Sequence, residues 1–231
     1  MTRLDEPWAR CALARLVREW LLSLVLAPII DFYVRFRAEG RGNFDAIQPP
    51  VVFVANHASH LDTPAILRAL PRRWRQRTAV AAAADYFYRN RLVAAAVALV
   101  FNTVPVQRGG GGLAKGAKEH LDRLIRQRWN LLLYPEGTRS RDGHLGTLRS
   151  GAAVLAAEHG LTIVPIYVEG THDAMPPGRS WPRRLRFSRR HPVAVRFGAP
   201  IPPAGRDAVM AQLQVFYKQQ GDRLPRGQVR S

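Results

Sequence analysis

The sequence holds a single cysteine, Cys11. That excludes an intrachain disulfide framework and any zinc site built on two thiolates. Lysine is almost as scarce, with only Lys115, Lys118 and Lys218. Several catalytic signatures are missing. There is no G-x-S-x-G elbow to expose a serine nucleophile, no H-E-x-x-H pair for a zinc protease, and no G-x-x-x-x-G-K-[ST] phosphate loop. The histidines show no close metal-ligand spacing, so no metal is expected. No apolar run reaches the roughly 20 residues that a bilayer-spanning helix needs.

What is present is positive charge. Lys+Arg total 35 against Asp+Glu 17, a net charge of +18, nearly all of it arginine. Such a surface meets polyanions, either nucleic acid or an anionic membrane, and the guanidinium fork matches phosphate oxygens bidentately. Genomic base composition is an alternative source of arginine. The length of 231 residues suits one domain. With 47% hydrophobic and 23% charged residues, intrinsic disorder, collagen-like and coiled-coil architectures are excluded.

Near the N-terminus, Leu13, Leu16, Val17, Trp20, Leu21, Leu24 and Val25 form the stripe of an amphipathic helix. Arg15, Arg18 and Glu19 lie on the other side. The run Leu21–Ile30 is apolar all round and ends at Asp31. The aromatic and arginine mixture Phe32-Tyr33-Val34-Arg35-Phe36-Arg37 predicts a second helix lying among lipid headgroups. A core helix of a soluble domain is the competing reading. Asp5 and Glu6 oppose a cleaved signal peptide, and Cys11 reads as a small apolar filler. The expected division is an interfacial segment at 1–39, a catalytic domain at 40–220 and a basic tail at 221–231.

Beyond Gly40, strand-like and helix-like runs alternate. Strands are predicted at Val51–Ala55, Thr78–Ala82, Thr103–Val106, Leu131–Tyr134, Ile163–Val168 and Val193–Phe197. Helices are predicted at Pro64–Leu70, Arg91–Val100, Leu113–Arg128, Leu148–His159 and Asp207–Gln219. This order predicts a single α/β domain with a central, largely parallel sheet flanked by helices. Arginine also clusters around aromatics at 72–77 and 179–190, a pattern that suits a membrane interface, single-stranded nucleic acid or a solvated loop.

Open α/β sheets bind ligands beyond the carboxyl ends of their strands. Polar residues recur there: Asn56-His57-Ala58-Ser59-His60-Leu61-Asp62, Gln107-Arg108 with the Gly109–Gly112 run, Pro135 to Ser140, and Glu169 to Asp173. His57 and Asp62, five apart, can meet across a strand-to-helix turn, with Thr63 as cap and Pro64 in the first turn. A carboxylate that fixes an imidazole makes a competent general base. His60 is a rival candidate.

The pair His57 and Asp62, Val104 to Arg108, Glu136-Gly137-Thr138-Arg139-Ser140, Leu148 to Ala152 and Ile163-Val164-Pro165-Ile166 resemble, in order and spacing, the motifs of the phospholipid and glycerol acyltransferases. Leu148 and Arg149 depart from that pattern, as does the glycine run after Arg108. The resemblance implies His57 and Asp62 as catalytic residues. It implies substrate binding by Arg108, Glu136, Gly137, Thr138, Arg139 and Pro165. Arg108 and Arg139 would hold the acceptor phosphate, and Glu136 would orient Arg139 or the acceptor. It further implies a lysophospholipid acceptor, such as lysophosphatidate, and acyl-CoA or acyl-carrier protein as co-substrate, with no other cofactor. The expected partner is an anionic membrane surface, at the cytoplasmic face of the inner or plasma membrane, and not nucleic acid.

Overall fold

Short apolar strands between helices need cover on both faces, and the sheet here has it. The computed structural model describes residues 6–83, 91–106, 108–109, 112–113, 115–140, 142–185 and 189–222. The helical segment Ala12–Trp20 (α1) continues through a π-helical stretch at Leu21–Leu26 into Ala27–Tyr33 (α2), and then directly into strand Val34–Glu39 (β1). There follow Val52–Ala55 (β2), Asp62–Ala69 (α3), Arg72–Arg75 (α4), Thr78–Ala83 (β3), Arg91–Phe101 (α5) and Thr103–Val106 (β4). A two-stranded hairpin comes next, Arg108–Gly109 (β5) with Gly112–Leu113 (β6), then Lys115–Arg126 (α6) and Asn130–Leu133 (β7). The chain ends with Gly151–His159 (α7), Ile163–Glu169 (β8), Thr171–Ala174 (α8), His191–Phe197 (β9) and Arg206–Asp222 (α9).

The seven-stranded sheet has the order β1-β9-β8-β2-β7-β3-β4. The five strands from β8 to β4 are mutually parallel, β9 runs antiparallel to β8, and β1 runs parallel to β9. Alternate residues divide between two cores, as the period of a strand requires. Phe53, Leu132, Val164 and Ile166 face Leu22 and Ile30 of the N-terminal helical segment and Ile66 and Leu67 of α3. Val52, Val54, Leu131 and Leu133 face Leu121 and Leu124 of α6, Leu155 of α7 and Leu213 and Tyr217 of α9. The buried Tyr217 hydroxyl donates to the carbonyls of Val54 (2.8 Å) and Ile166 (3.3 Å), pinning α9 to the central strands.

Two expectations at the N-terminus are corrected. Residues 34–37, expected as part of an interfacial helix, are strand, so the sheet begins before residue 40. Val34, Phe36 and Ala38 turn toward the core while Arg35, Arg37 and Glu39 face out, a period of two that the aromatic and arginine composition masks. Cys11 is exposed rather than a filler, and its Sγ accepts the Ala14 N–H (3.4 Å) as the cap of α1. Helix α3 begins at Asp62, slightly ahead of the expected start. Of the basic tail, 223–231 lie outside the described residues, as do Gln107 and Gly110–Gly111.

The amphipathic helix is present, but inside out. Leu13 is 70% exposed and Trp20 64%, with Leu16, Val17 and Leu24 also exposed, while Arg18 and Glu19 are buried. Arg18 donates to the carbonyls of Ala98, Leu99 and Ala9, tying α1 to the end of α5. Burial pulls its pKa down to about 10, so it stays charged in this seat. Glu19 pairs with Arg75 and, at 3.7 Å, Arg72.

Candidate active site

The residue before His57 sets the frame. Asn56 follows β2 directly, and its buried amide donates to Val168 O (2.8 Å) and accepts the Val168 N–H (2.7 Å). The side chain thus stands in for a strand residue and closes the gap between β2 and β8 at their carboxyl ends. The chain then turns, and His57 Nδ1 lies 2.9 Å from Asp62 Oδ2. Asp62 is fully buried, and its Oδ2 also accepts the N–H groups of Ala58 (2.7 Å) and Ser59 (2.8 Å). Its other oxygen accepts the hydroxyl of Thr171, which follows β8. A carboxylate can only accept, so the proton between the pair sits on His57 Nδ1, and Nε2 keeps its lone pair.

The imidazole is held from the side as well. The Tyr134 ring stacks on it with centroids 4.1 Å apart and planes inclined by 22°. The Thr63 hydroxyl, expected to cap α3, instead bonds the Tyr134 hydroxyl (2.7 Å). Burial, with a smaller push from Asp62, raises the Tyr134 pKa far above the ordinary phenol range, so it acts as a neutral wall. His60, the rival imidazole, lies in the same loop, two residues before Asp62. Burial first, then the charges of Arg139 and His57, pull its pKa down to about 4.

Glu136 is placed differently from the expectation that it orients an arginine or the acceptor. It is buried, with Oε1 accepting the His57 N–H (2.7 Å) and Oε2 the Gly146 N–H (2.7 Å). The Ser140 N–H donates to His57 O (2.8 Å). The Glu136 carboxylate therefore ties the His57–Asp62 loop to the 136–149 loop. Burial raises its pKa, partly offset by those two backbone bonds. Gly137 has a φ of +70°, and a side-chain carbon there would touch Arg149 Nε at 3.4 Å. Thr138, Arg139, Ser140, His144, Thr147 and Arg149 line an open groove of about 300 Å³ beside Glu136.

Arg108 lies on β5, at a position whose side chain is outside the described residues. Pro165 is not brought to the groove. It is buried within β8, one residue before the antiparallel ladder with β9 starts. Its carbonyl accepts the Gly198 N–H (2.8 Å), and the N–H it lacks is replaced by Asn43 Nδ2, which donates to Gly198 O (2.9 Å). A Cβ at Gly198 would sit 2.8 Å from Pro165 Cγ and 2.5 Å from the Phe216 ring. The proline is thus a packing piece of the strand junction. Among the described residues no cluster of three or more His, Cys, Asp or Glu is placed to hold a metal ion.

A family model described as Acyltransferase matches residues 35–169, the stretch that contains β1, the His57–Asp62 pair, the Glu136 loop and β8. The chain belongs to the acyltransferase family. It is 30% identical over 152 residues to a chloroplast 1-acyl-sn-glycerol-3-phosphate acyltransferase of Arabidopsis thaliana, an alignment covering 65% of this chain and 40% of that protein. It is 28% identical over 203 residues to a lyso-ornithine lipid O-acyltransferase of Pseudomonas aeruginosa, covering 84% of this chain and 72% of that one. The fold of this acyltransferase is similar to the crystal structure of a 1-acyl-sn-glycerophosphate acyltransferase of Thermotoga maritima, with a TM-score of 0.65 and 20% identity over 92% of this chain and 84% of that chain.

Asn56 and Thr171 are the positioning residues that the sequence reading does not single out. Both stand in the loops flagged by position after β2 and β8. Their partners, Val168 and Asp62, lie 112 and 109 residues away, so only the folded chain reveals the contacts.

Proposed function

We propose that this acyltransferase moves a fatty acyl group from a thioester carrier, acyl-CoA or acyl-carrier protein, to the free glycerol hydroxyl of lysophosphatidate, giving phosphatidate. The observation that carries the reading is the His57–Asp62 pair, fixed by four donors on the carboxylate and opening beside an arginine-bearing groove. His57 Nε2 takes the hydroxyl proton as the acceptor oxygen attacks the thioester carbonyl. The new C–O bond forms, the C–S bond breaks, and the departing sulfur receives the proton from the imidazolium. No acyl-enzyme step is needed. Arg139, and Arg108 from the hairpin, hold the acceptor phosphate.

The exposed apolar stripe of α1 mounts the site on a lipid leaflet. Turning Leu13, Leu16 and Trp20 outward while burying Arg18 and Glu19 reverses the arrangement of a water-facing helix, and a lipid surface covers such a face. Among the described residues no helix is long and apolar enough to cross a membrane, which fits attachment to one leaflet, read here as the cytoplasmic one. The extent of the similarity to the lyso-ornithine lipid enzyme favours a second reading, a different lysolipid acceptor on the same chemistry. Acyl transfer with a panel of lysolipids, using each carrier as donor, tests both. Fastest turnover on lysophosphatidate supports the first reading, and preference for an acceptor without a phosphate overturns it.

A further inference from the structure

The segment 171–185 joins the catalytic rim to the N-terminal helices. At its start Thr171 holds Asp62, and Met175 O accepts the Ser59 hydroxyl (2.6 Å). At its far end Trp181 Nε1 donates to the Tyr33 hydroxyl (2.8 Å), with the two rings edge to face at 6.2 Å. The Arg184 guanidinium lies 4.8 Å from the Phe32 ring centroid, and Arg190 donates to Asp31 O (3.1 Å). Between these ends the Arg183 N–H folds back to Ala174 O (2.8 Å). The segment is therefore seated on the end of α2.

Two properties meet at that seat. The exposed positions of the helical segment recur every three or four residues, at Leu13, Leu16, Trp20, Leu24, Pro28 and Phe32, so the apolar stripe runs up to the ring on which Arg184 lies. Next to it Trp181 is 56% exposed, and Arg179, Arg183, Arg184, Arg189 and Arg190 flank it along the chain with no acidic residue between 174 and 190. An indole anchored by its N–H, with apolar and cationic neighbours, matches the boundary between acyl chains and phosphates.

We propose that residues 176–185 with Arg189 and Arg190 form an apron that binds the phosphates of anionic phospholipids in the leaflet on which the α1 stripe rests. This rests on the membrane reading above and adds the headgroup class to it. The stripe supplies attachment to any lipid surface, whereas the apron supplies preference for negative charge. Because the same segment carries Thr171, headgroup binding fixes the rim that holds Asp62.

The test is binding of the full chain to phosphatidylcholine vesicles with and without phosphatidylglycerol. A basic residue near an anionic surface contributes about 1 kcal/mol, so the combined variant Arg179→Gln, Arg183→Gln and Arg189→Gln is expected to bind anionic vesicles on the order of 100-fold more weakly. Binding to neutral vesicles, and turnover of detergent-dispersed lysophosphatidate, should be unchanged. Trp181→Ala should weaken binding to both vesicle types. An unchanged preference for anionic vesicles in the triple variant overturns the proposal. So does unchanged vesicle binding with a raised KM for acyl-carrier protein, which would make the surface a dock for an acidic carrier. Failure of the parent protein to bind any vesicle overturns the membrane reading itself, and absence of acyl transfer with intact vesicle binding overturns only the proposed reaction.

Discussion

Replacing His57 with alanine is expected to lower turnover by about 10²–10⁴-fold, the usual contribution of positioned proton transfer, while His60→Ala costs far less. Steady-state rates on the two variants check this, and a more sensitive His60 would reverse the assignment. Thr171 acts on the base through Asp62. Thr171→Val removes one donor from the carboxylate, leaving it a stronger partner for the Nδ1 proton and for the imidazolium. The acid limb of kcat/KM should move to higher pH, with about a tenfold loss at neutral pH from the missing hydrogen bond, and Thr171→Ser should restore both. Loss of activity with an unmoved limb would reduce Thr171 to packing. For Arg139, exchange to lysine keeps the charge and loses the planar fork. Kinetics should show about a 10- to 100-fold fall in acceptor kcat/KM on a phosphate-bearing lysolipid, and little change on a matched neutral monoacylglycerol. The His57–Asp62 pair was legible from its spacing and from the polar loop after a strand. The place of Glu136 was not, because its partners are the backbone N–H groups of His57 and Gly146, which no residue type advertises.

Among the elements, the N-terminal helical segment packs into the core as well as carrying the proposed attachment, so truncation cannot separate the two. Deleting residues 1–38 would strip Leu22, Ile30 and Val34 from the core and leave β9 paired on one side only, with β8. The informative change is Leu13→Ser, Leu16→Ser and Trp20→Ser together, on the exposed face only. This variant should unfold at a temperature close to that of the parent, yet lose vesicle binding by about 100-fold or more, given roughly 1.5–3 kcal/mol for each large apolar side chain withdrawn from lipid. Retained flotation with vesicles would shift attachment to the arginine apron. Continuous apolar runs mark the inner strands, because a strand covered on both faces needs no polar side. Strand β1 was hidden by its edge position: its outward arginines gave it the composition of an interfacial helix. The spacing of the α1 stripe marks a helix, but which face turns inward depends on Arg18 reaching the carbonyls of α5, 80 residues on.

For the whole molecule, two histidines contribute to the response to acid. His60 has its pKa lowered to about 4, and His191 is also lowered, by burial and then by Arg183. Both therefore take up protons more readily in the unfolded chain. Between about pH 6.5 and 4 His60 binds more protons in the unfolded state, and His191 acts in the same direction, so their contribution to stability falls as pH falls through that window; Glu136, with its raised pKa, opposes it. Thermal unfolding should show this slope, and His60→Gln should flatten it by up to about 3 kcal/mol at pH 4; an unchanged slope would remove His60 as its source. The sheet itself has a consequence for biosynthesis. Its outermost pair, β1 and β9, joins residues 157 positions apart. While a ribosome is still making the chain, β1 has emerged long before β9 exists, and pairings of such high contact order form late. The α1 stripe precedes both and is apolar from the moment it forms. On the membrane reading proposed above, nascent chains are thus expected to reach the bilayer before the sheet closes, and folding to finish on the lipid surface.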